Sequence, residues 1–549
     1  MAEPGRRAAT VENAATIAAL FALTLLLQWL SGAYRSELAH FPDEPSHVVT
    51  SLMFGDYVRA GFPGSPVAYA EKYYVHYPKV AIGMWPPLFY CVAGAWTLVF
   101  GATRVSFLML AALAGGLLAG SLAIFVKRMY GRALGLTAGV VLAFLSPVQS
   151  GNSMVMLDIP VALGCFWSML LLVEYFRSER TRTAIAFGLV TALAMLVKAN
   201  ANACVVMALL MLPLTGRYSL LKRPGLYAAG AIVLVLGLPW QILSLKMERT
   251  AVPMGSLHAA DFGPMLFGYA RILMVELTPL VAALTVVGLA VAAVPALRKA
   301  APDSVALAGA ASLLLAILLF HCIVPRIFMD ERYMTAALPP ALVLFVAGCH
   351  AVSRLRIAAV PGGAVRTAAL VGVALAGAWL WGAFAIPQRP VLGFVAAADL
   401  ALAANAPKDA MLVCSDAGGE GAFVAEVALR DHRPSRIVLR ASKVISQRPW
   451  SGTEVKMLLN DTADLGKYLE DVAVDVAVVD FTARENPERA LLVSYLEQDA
   501  AGWRAEEVKG DFARKLTVYT RTDRSHLLPG RIRFSLPYTL GRDVELNVR

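Results

Sequence analysis

The sequence predicts a polytopic α-helical membrane module followed by a small soluble α/β domain, and three observations carry that prediction. The 549 residues are 58% hydrophobic and only 16% charged, with a mean hydropathy of +0.62, which is too apolar for a soluble chain of this length. Many separate apolar runs approach the roughly 20 residues needed to cross a bilayer. After residue 386 the composition reverts to that of ordinary soluble protein, with short strand and helix patterns alternating. The formal net charge of +10 does not indicate nucleic-acid binding, because much of it lies in short basic clusters between apolar runs, as orientation signals do.

Those clusters order the membrane module. Arg6/Arg7, Lys127/Arg128/Arg132, Arg177/Arg180/Arg182, Arg217/Lys222/Arg223, Arg298/Lys299 and Arg354/Arg356/Arg366 punctuate the chain. If all face the cytoplasm, pairs of spans must join them. Apolar runs at 104–126, 133–148, 159–176, 183–197, 200–215, 225–244, 272–297, 304–324, 338–353 and 365–386 supply the pairs. With a first span at 14–31, retained rather than cleaved, the expectation is about eleven helices. The N-terminus is then cytoplasmic and the C-terminal domain periplasmic or exterior, on a protein integral to the plasma (inner) membrane. The pair flanking Lys198 is short.

The stretch from Trp85-Pro86-Pro87-Leu88 to Phe100 breaks this alternation if counted as a span. It fits better as an amphipathic helix in the outer interface. The first outer loop then runs over 34–103, and a long loop between spans is usually functional. The expected division is 1–386 for the membrane module and 387–549 for the exterior domain. In that domain Met411-Leu412-Val413-Cys414, Arg436-Ile437-Val438-Leu439, Val476-Ala477-Val478-Val479-Asp480 and Lys515-Leu516-Thr517-Val518-Tyr519 predict buried strands. Residues 461–472 and 486–500 predict helices. Gly418-Gly419-Glu420-Gly421 lacks a full dinucleotide fingerprint, so a plain strand-to-helix turn is expected. The six cysteines form no CxxC pair and predict buried small hydrophobes.

On this topology the informative polar residues collect on the outer face. Asp43, Glu44 and His47 follow the first span, and Lys72, His76 and Lys79 come later in the same loop. Asp158 opens the fourth span, where a helix-capping role is the plain alternative. Lys198 lies at an outer turn, where snorkelling would explain one lysine. Arg326, Arg332 and Tyr333, with Asp330 and Glu331, form the outer end of the ninth and tenth spans, 304–324 and 338–353. Ionisable groups at membrane depth are costly and mark function by default. Cations there can hold a lipid phosphate, and a carboxylate can act as general base on an acceptor hydroxyl. Nothing resembles a nucleotide-binding P-loop.

Asp43-Glu44 after the first span, Pro86-Pro87-Leu88, Leu157-Asp158-Ile159-Pro160 and Arg332-Tyr333 together resemble the membrane-embedded C-type (GT-C) glycosyltransferases that use polyprenyl-phosphate sugars. The chain is most similar to the protein O-mannosyltransferase and lipid A aminoarabinose transferase group, over roughly residues 14–355. The resemblance implies a GT-C fold and inverting transfer on the non-cytoplasmic side. It implies Asp43 as catalytic carboxylate, Glu44 orienting substrate and Asp158 lining the same cavity. Arg332 and Tyr333 match positions that contact the lipid phosphate, with Lys198 and Arg326 beside them as further cations. Aminoarabinose transferases carry a lysine before the double proline, where this chain has Trp85, so Lys79 is assigned that role. His47, Lys72 and His76 remain further candidates. A divalent metal is a possible cofactor, with Asp43 and Asp158 as oxygen donors. The expected partners are a polyprenyl-phosphate-linked sugar and the bilayer, with the acceptor unidentified. The competing class is a secondary transporter, but transporters usually show repeated halves and mid-membrane charges, and neither is visible here. A membrane scaffold with an exterior binding domain would not need the Asp43–Glu44 pair.

Overall fold

The computed structural model describes residues 3–81, 83–251, 261–299, 301–324, 329–354, 372, 377, 382, 385–407, 409–447, 455–484, 486–524, 531–536 and 542–547. Most of the membrane module is helical, as its apolar runs require. In lipid every backbone N–H and C=O must be paired within the segment, which a helix does by itself. Among the described residues, six helices are long and apolar enough to cross a membrane: Ala9–Leu30, Arg104–Tyr130, Asp158–Ser178, Pro224–Ser244, Ser304–Ile323 and Glu331–Ser353.

Two of the expected spans, 133–148 and 272–297, overlap bent helix pairs. Arg132–Phe144 and Ser146–Asn152 meet at 67°, and Phe262–Leu277 and Pro279–Ala293 meet at 119°. Each second helix has proline in its first turn, Pro147 and Pro279. Proline removes a helix donor and pushes the preceding residue out of the helical region. Thr278, before Pro279, sits at φ +66. The expectation of about eleven spans further includes two short apolar helices, Thr181–Met195 and Ala199–Thr215. It also includes the run at 365–386, most of which lies outside the described residues. The stretch after Trp85 forms a helix of 13 residues, Leu88–Phe100, too short to span.

The chain forms two compact units. The first comprises Met1–Ser31, Met109–Ile242 and Met254–Pro387. Its core is a continuous apolar cluster that includes Phe166, Met169 and Phe176 on Asp158–Ser178, Leu313 and Ile317 on Ser304–Ile323, and Leu342 and Phe345 on Leu338–Ser353. Helices Pro279–Ala293 and Leu338–Ser353 cross on glycine. A Cβ at Gly288 would lie 1.9 Å from the Leu344 carbonyl oxygen, and one at Gly348 would lie 2.0 Å from that of Leu284. Only the missing side chains permit that approach, the usual means by which helices associate where no hydrophobic effect drives them together.

The second unit comprises Gly32–Leu108, Leu243–Pro253 and Gln388–Arg549. Its frame is a five-stranded sheet in the order β2-β1-β5-β7-β6. The strands are β1 (Ala410–Cys414), β2 (Ile437–Arg440), β5 (Val474–Asp480), β6 (Trp503–Glu507) and β7 (Leu516–Arg521). Short pairs β3 (Ser446–Gln447) with β4 (Lys456–Met457), and β8 (Arg531–Leu536) with β9 (Arg542–Asn547), complete the strands. β1 pairs in parallel with β2 and β5, while β7 runs antiparallel to β5 and β6. All seven residues of β5 are buried, which is why the sequence there runs apolar instead of alternating. Its buried carboxylates are paired: Asp475 accepts from the Asn405 side chain and the Ala406 amide, and Asp480 from Ser415 and Arg514. The four predicted strands and both predicted helices form, the helices as Thr462–Asp471 and Pro487–Gln498. Gly418 and Gly419 lie in the first turn of helix Ala417–Arg430, whose N-cap Asp416 accepts from the Gly419 amide. All six cysteines are free thiols, and five are buried.

Candidate active site

The second unit holds the carboxylate pair. Asp43 is the N-cap of helix Glu44–Arg59, whose first turn contains Pro45. Proline is pre-organised for that position, so the chain must turn into the helix at Asp43. Asp43 is buried, and the Lys79 Nζ donates to the carbonyl of the preceding residue, Pro42, at 2.9 Å. The Lys79 side chain is half-buried, but its ammonium is crowded. Burial, with the nearby Arg440 and Lys443 cations, outweighs the attraction of Asp43 and Glu420 and pushes Lys79 down to about 7. Lys79 is thus placed beside Asp43 and close to its titration point at neutral pH.

Glu44 is fully buried and faces Arg104, whose Nη1 lies 3.8 Å from Oε1. Arg104 also donates from Nε to the Ala33 carbonyl at 3.0 Å. Burial pulls the Arg389 guanidinium down, while Glu44 pulls it up. Burial, then Arg389 and Arg104, pushes His40 down to about 3, so it is neutral. Glu44 is therefore committed to arginines. His47, on the same helix, pairs through Nδ1 with the Tyr90 hydroxyl at 3.0 Å and meets the edge of Trp85 at 4.7 Å between centroids. Burial, then the charge of Asp43, holds the Tyr90 phenol well above its ordinary range, so it stays a donor.

His76 and Lys72 have other surroundings. His76 Nδ1 donates to the Arg436 carbonyl at 2.9 Å, and burial lowers the ring's affinity for a second proton. Lys72 is exposed.

The first unit holds the remaining candidates. Asp158 is the first residue of helix Asp158–Ser178 and Lys198 precedes the short turn Ala199–Asn202. The two form a buried ion pair, Nζ to Oδ1 2.6 Å. Neither is explained by capping or snorkelling alone. The Lys198 ammonium also lies 5.6 Å from the centroid of the Tyr333 ring, and the Arg332 guanidinium lies at 5.6 Å from the same ring. These are cation–π distances. Arg332 is oriented by Asp330, Nε to Oδ2 2.9 Å. Tyr333 stacks on His321 at 5.7 Å, and His321 meets Tyr269 at 5.4 Å. Asp158, Lys198, Arg332 and Tyr333 are thus brought together, whereas Arg326 lies outside the described residues.

Comparison with known proteins bears on the fold. Residues 85–242 match the family model of dolichyl-phosphate-mannose-protein mannosyltransferase. The crystal structure of ArnT from Cupriavidus metallidurans bound to undecaprenyl phosphate is similar over 91% of this chain and 97% of that chain, with a TM-score of 0.53 and 14% identity. An Archaeoglobus fulgidus oligosaccharyltransferase tethered to an acceptor peptide is similar over 96% of this chain and 76% of that one, with a TM-score of 0.55 and 13% identity. The chain has the fold of the C-type glycosyltransferases. No curated protein matches it.

Asp158 and Lys198 fall inside the segment that matches the family model, whereas Asp43, Glu44, Arg332 and Tyr333 fall outside it. Among the described residues, no group of three or more His, Cys, Asp or Glu side chains is arranged to hold a metal ion. Several participants escaped the sequence reading. Arg104 opens the apolar run 104–126, and Tyr90 lies in the stretch expected as an interfacial helix. His321 lies within the apolar run 304–324. His321 and Tyr333 lie on separate helices, so no periodicity within one element pointed to their stacking.

Proposed function

We propose that the glycosyltransferase moves a sugar from a polyprenyl-phosphate donor to a hydroxyl-bearing acceptor at the outer face of the membrane, with inversion at the anomeric carbon. The observation that carries this reading is Asp43, a buried carboxylate at the start of a helix with the Lys79 ammonium next to it. The undecaprenyl phosphate bound by ArnT supports the donor class. In this reading Asp43 accepts the proton of the acceptor hydroxyl. The hydroxyl oxygen then bonds to the anomeric carbon as the bond from that carbon to the phosphate oxygen breaks. Polyprenyl phosphate leaves with the bonding electrons and is already a good leaving group, so one carboxylate suffices. A positioned base of this kind contributes about 10²–10⁴-fold.

Lys79, Lys198, Arg326, Arg332 and Tyr333 are assigned to the donor phosphate. The pairing of Lys198 with Asp158 and the Asp330 brace on Arg332 support rigid presentation of cations. Glu44 is assigned an orienting role through Arg104, and Asp158 through Lys198. His47 is assigned to hold Tyr90 near Asp43. The N-terminus is assigned to the cytoplasm of a cell with this protein in its plasma membrane, and 387–549 to the exterior.

The test uses the purified full chain in lipid nanodiscs with polyprenyl-phosphate sugars and a total envelope extract as acceptor source. Release of free polyprenyl phosphate, with the sugar recovered on an extract component, is the expected result. Arg332→Ala should raise the KM for the donor. Absence of release with every sugar offered would sink the reading.

A further inference from the structure

The glycosyltransferase site reading gives the C-terminal domain no task, yet that domain surrounds Lys79. Four observations within the second unit converge. Helix Ala417–Arg430 presents Gly421 to the lysine: a Cβ there would lie 2.3 Å from Lys79 Cε, 3.1 Å from Nζ and 3.1 Å from Pro45 Cγ. One residue earlier, the buried Glu420 binds Arg440 at the end of β2, Nε to Oε2 3.0 Å, and also accepts from the Ser442 amide at 3.0 Å. Arg440 in turn donates through Nη1 to the Pro78 carbonyl at 3.3 Å, next to Lys79. The other end of that loop is held too, because Tyr77 donates to Asp431 and His76 to the Arg436 carbonyl.

We propose that Gly421, Glu420 and Arg440 form a seat for Lys79, making the C-terminal α/β domain a working part of the transfer site. They are positioning residues, since none of them needs to touch substrate. Gly421 leaves the channel in which the lysine stem lies. Arg440 fixes the backbone that carries the lysine and adds a positive charge close to the ammonium. Glu420 neutralises part of that charge and anchors Arg440. The charged groups facing the ammonium are Asp43, Glu420, Arg440 and Lys443. The seat keeps the ammonium on the Pro42 carbonyl and so next to Asp43. The depressed proton affinity of Lys79 is consistent with a crowded position next to Arg440.

The role of the seat in transfer rests on the proposed donor reading, but its existence does not. The two are separated by two measurements on the full chain in nanodiscs. The first is trace acetylation of Lys79 with labelled acetic anhydride across pH, read by mass spectrometry on the peptide that carries it. Only the neutral amine reacts, so the curve reports the position of Lys79 without any activity. Half-maximal reaction should lie several pH units below an ordinary lysine in the wild type. Gly421→Ala removes no charge and has to displace the lysine end, so its curve should move toward the ordinary value. Arg440→Gln should move it up by about half a unit to one unit, and Arg440→Lys should restore most of the difference. The second is donor KM, expected to rise about tenfold in Gly421→Ala and Arg440→Gln, with a smaller rise in Arg440→Lys.

Unchanged acetylation curves in both variants would overturn the seat. Shifted curves with an unchanged KM in a working enzyme would overturn its role in transfer. Shifted curves in a protein that transfers no sugar from any polyprenyl phosphate would support the seat and reject the donor reading. If Arg440→Gln does not fold, Gly421→Ala decides alone.

Discussion

Glu37 is a heavily bonded carboxylate outside the candidate site, and removing its charge gives a sharp prediction. It is 1% exposed, and its two oxygens accept from four consecutive backbone amides: Leu392 at 3.0 Å, Gly393 at 3.1 Å, Phe394 at 3.1 Å and Val395 at 2.9 Å. Those amides open helix Phe394–Ala404, whose N-cap Gly393 sits at φ +103. The first amides of a helix have no intrahelical partner, and a carboxylate there also meets the positive end of the helix dipole. Glu37→Gln keeps the shape but turns one acceptor oxygen into a donor, so two amides lose their partner. A buried donor left without a partner costs about 1–3 kcal/mol. Partial relaxation of the helix end brings the sum to about 3 kcal/mol. Local opening would then be favoured about 150-fold. Hydrogen exchange on the peptide covering 392–395 measures this directly, and it should accelerate by about two orders of magnitude, with little change in β1 or β5. Exchange within about threefold of wild type would show that Glu37 does not hold this helix, and the bonding account would be wrong.

Two other perturbations carry equally definite signs. Lys198→Ala leaves the Asp158 carboxylate buried without its 2.6 Å partner, which should cost about 3–5 kcal/mol. The double variant Lys198→Ala/Asp158→Ala should recover part of the loss in a thermal-aggregation assay, and a double variant worse than the single would refute the pairing. Lys79 is cationic below about 7 and neutral above it. If its charge serves the donor phosphate, donor KM should rise as pH increases through that value, and Lys79→Arg, whose charge persists, should flatten the rise. A KM that falls with rising pH would contradict this sign.

The local parts of the fold were legible in the sequence, whereas the contacts that assemble the site were not. The strands β1, β2 and β5 announce themselves because buried parallel strands run largely apolar, and the antiparallel β7 does so by its β-branched and aromatic residues. Asp158 and Lys198 were legible as costly charges beside spans, but each had a plain explanation, and only folding shows that they answer one another across 40 positions. The bends in the two helix pairs were not legible from apolar length, because they depend on Pro147 and Pro279. The grouping of 32–108 with 388–549 in one unit rests on contacts such as Glu37 to 392–395 and Asp56 to Arg433. Each spans more than 350 positions, and no periodicity can encode that. Arg440 and Gly421 were invisible for the same reason. An arginine ending a strand and a glycine in a helix have no meaning until Lys79 is placed against them.

The central claim is that Asp43 is the base of a sugar transfer from a polyprenyl phosphate, and one measurement tests it most directly. Asp43→Asn retains size and removes basicity. Single-turnover transfer from a radiolabelled polyprenyl-phosphate sugar should fall by about 10²-fold or more in this variant, while donor binding, measured by co-purification of the labelled lipid, stays near wild type. Transfer by Asp43→Asn at near the wild-type rate, with the protein folded and donor bound, would contradict the account.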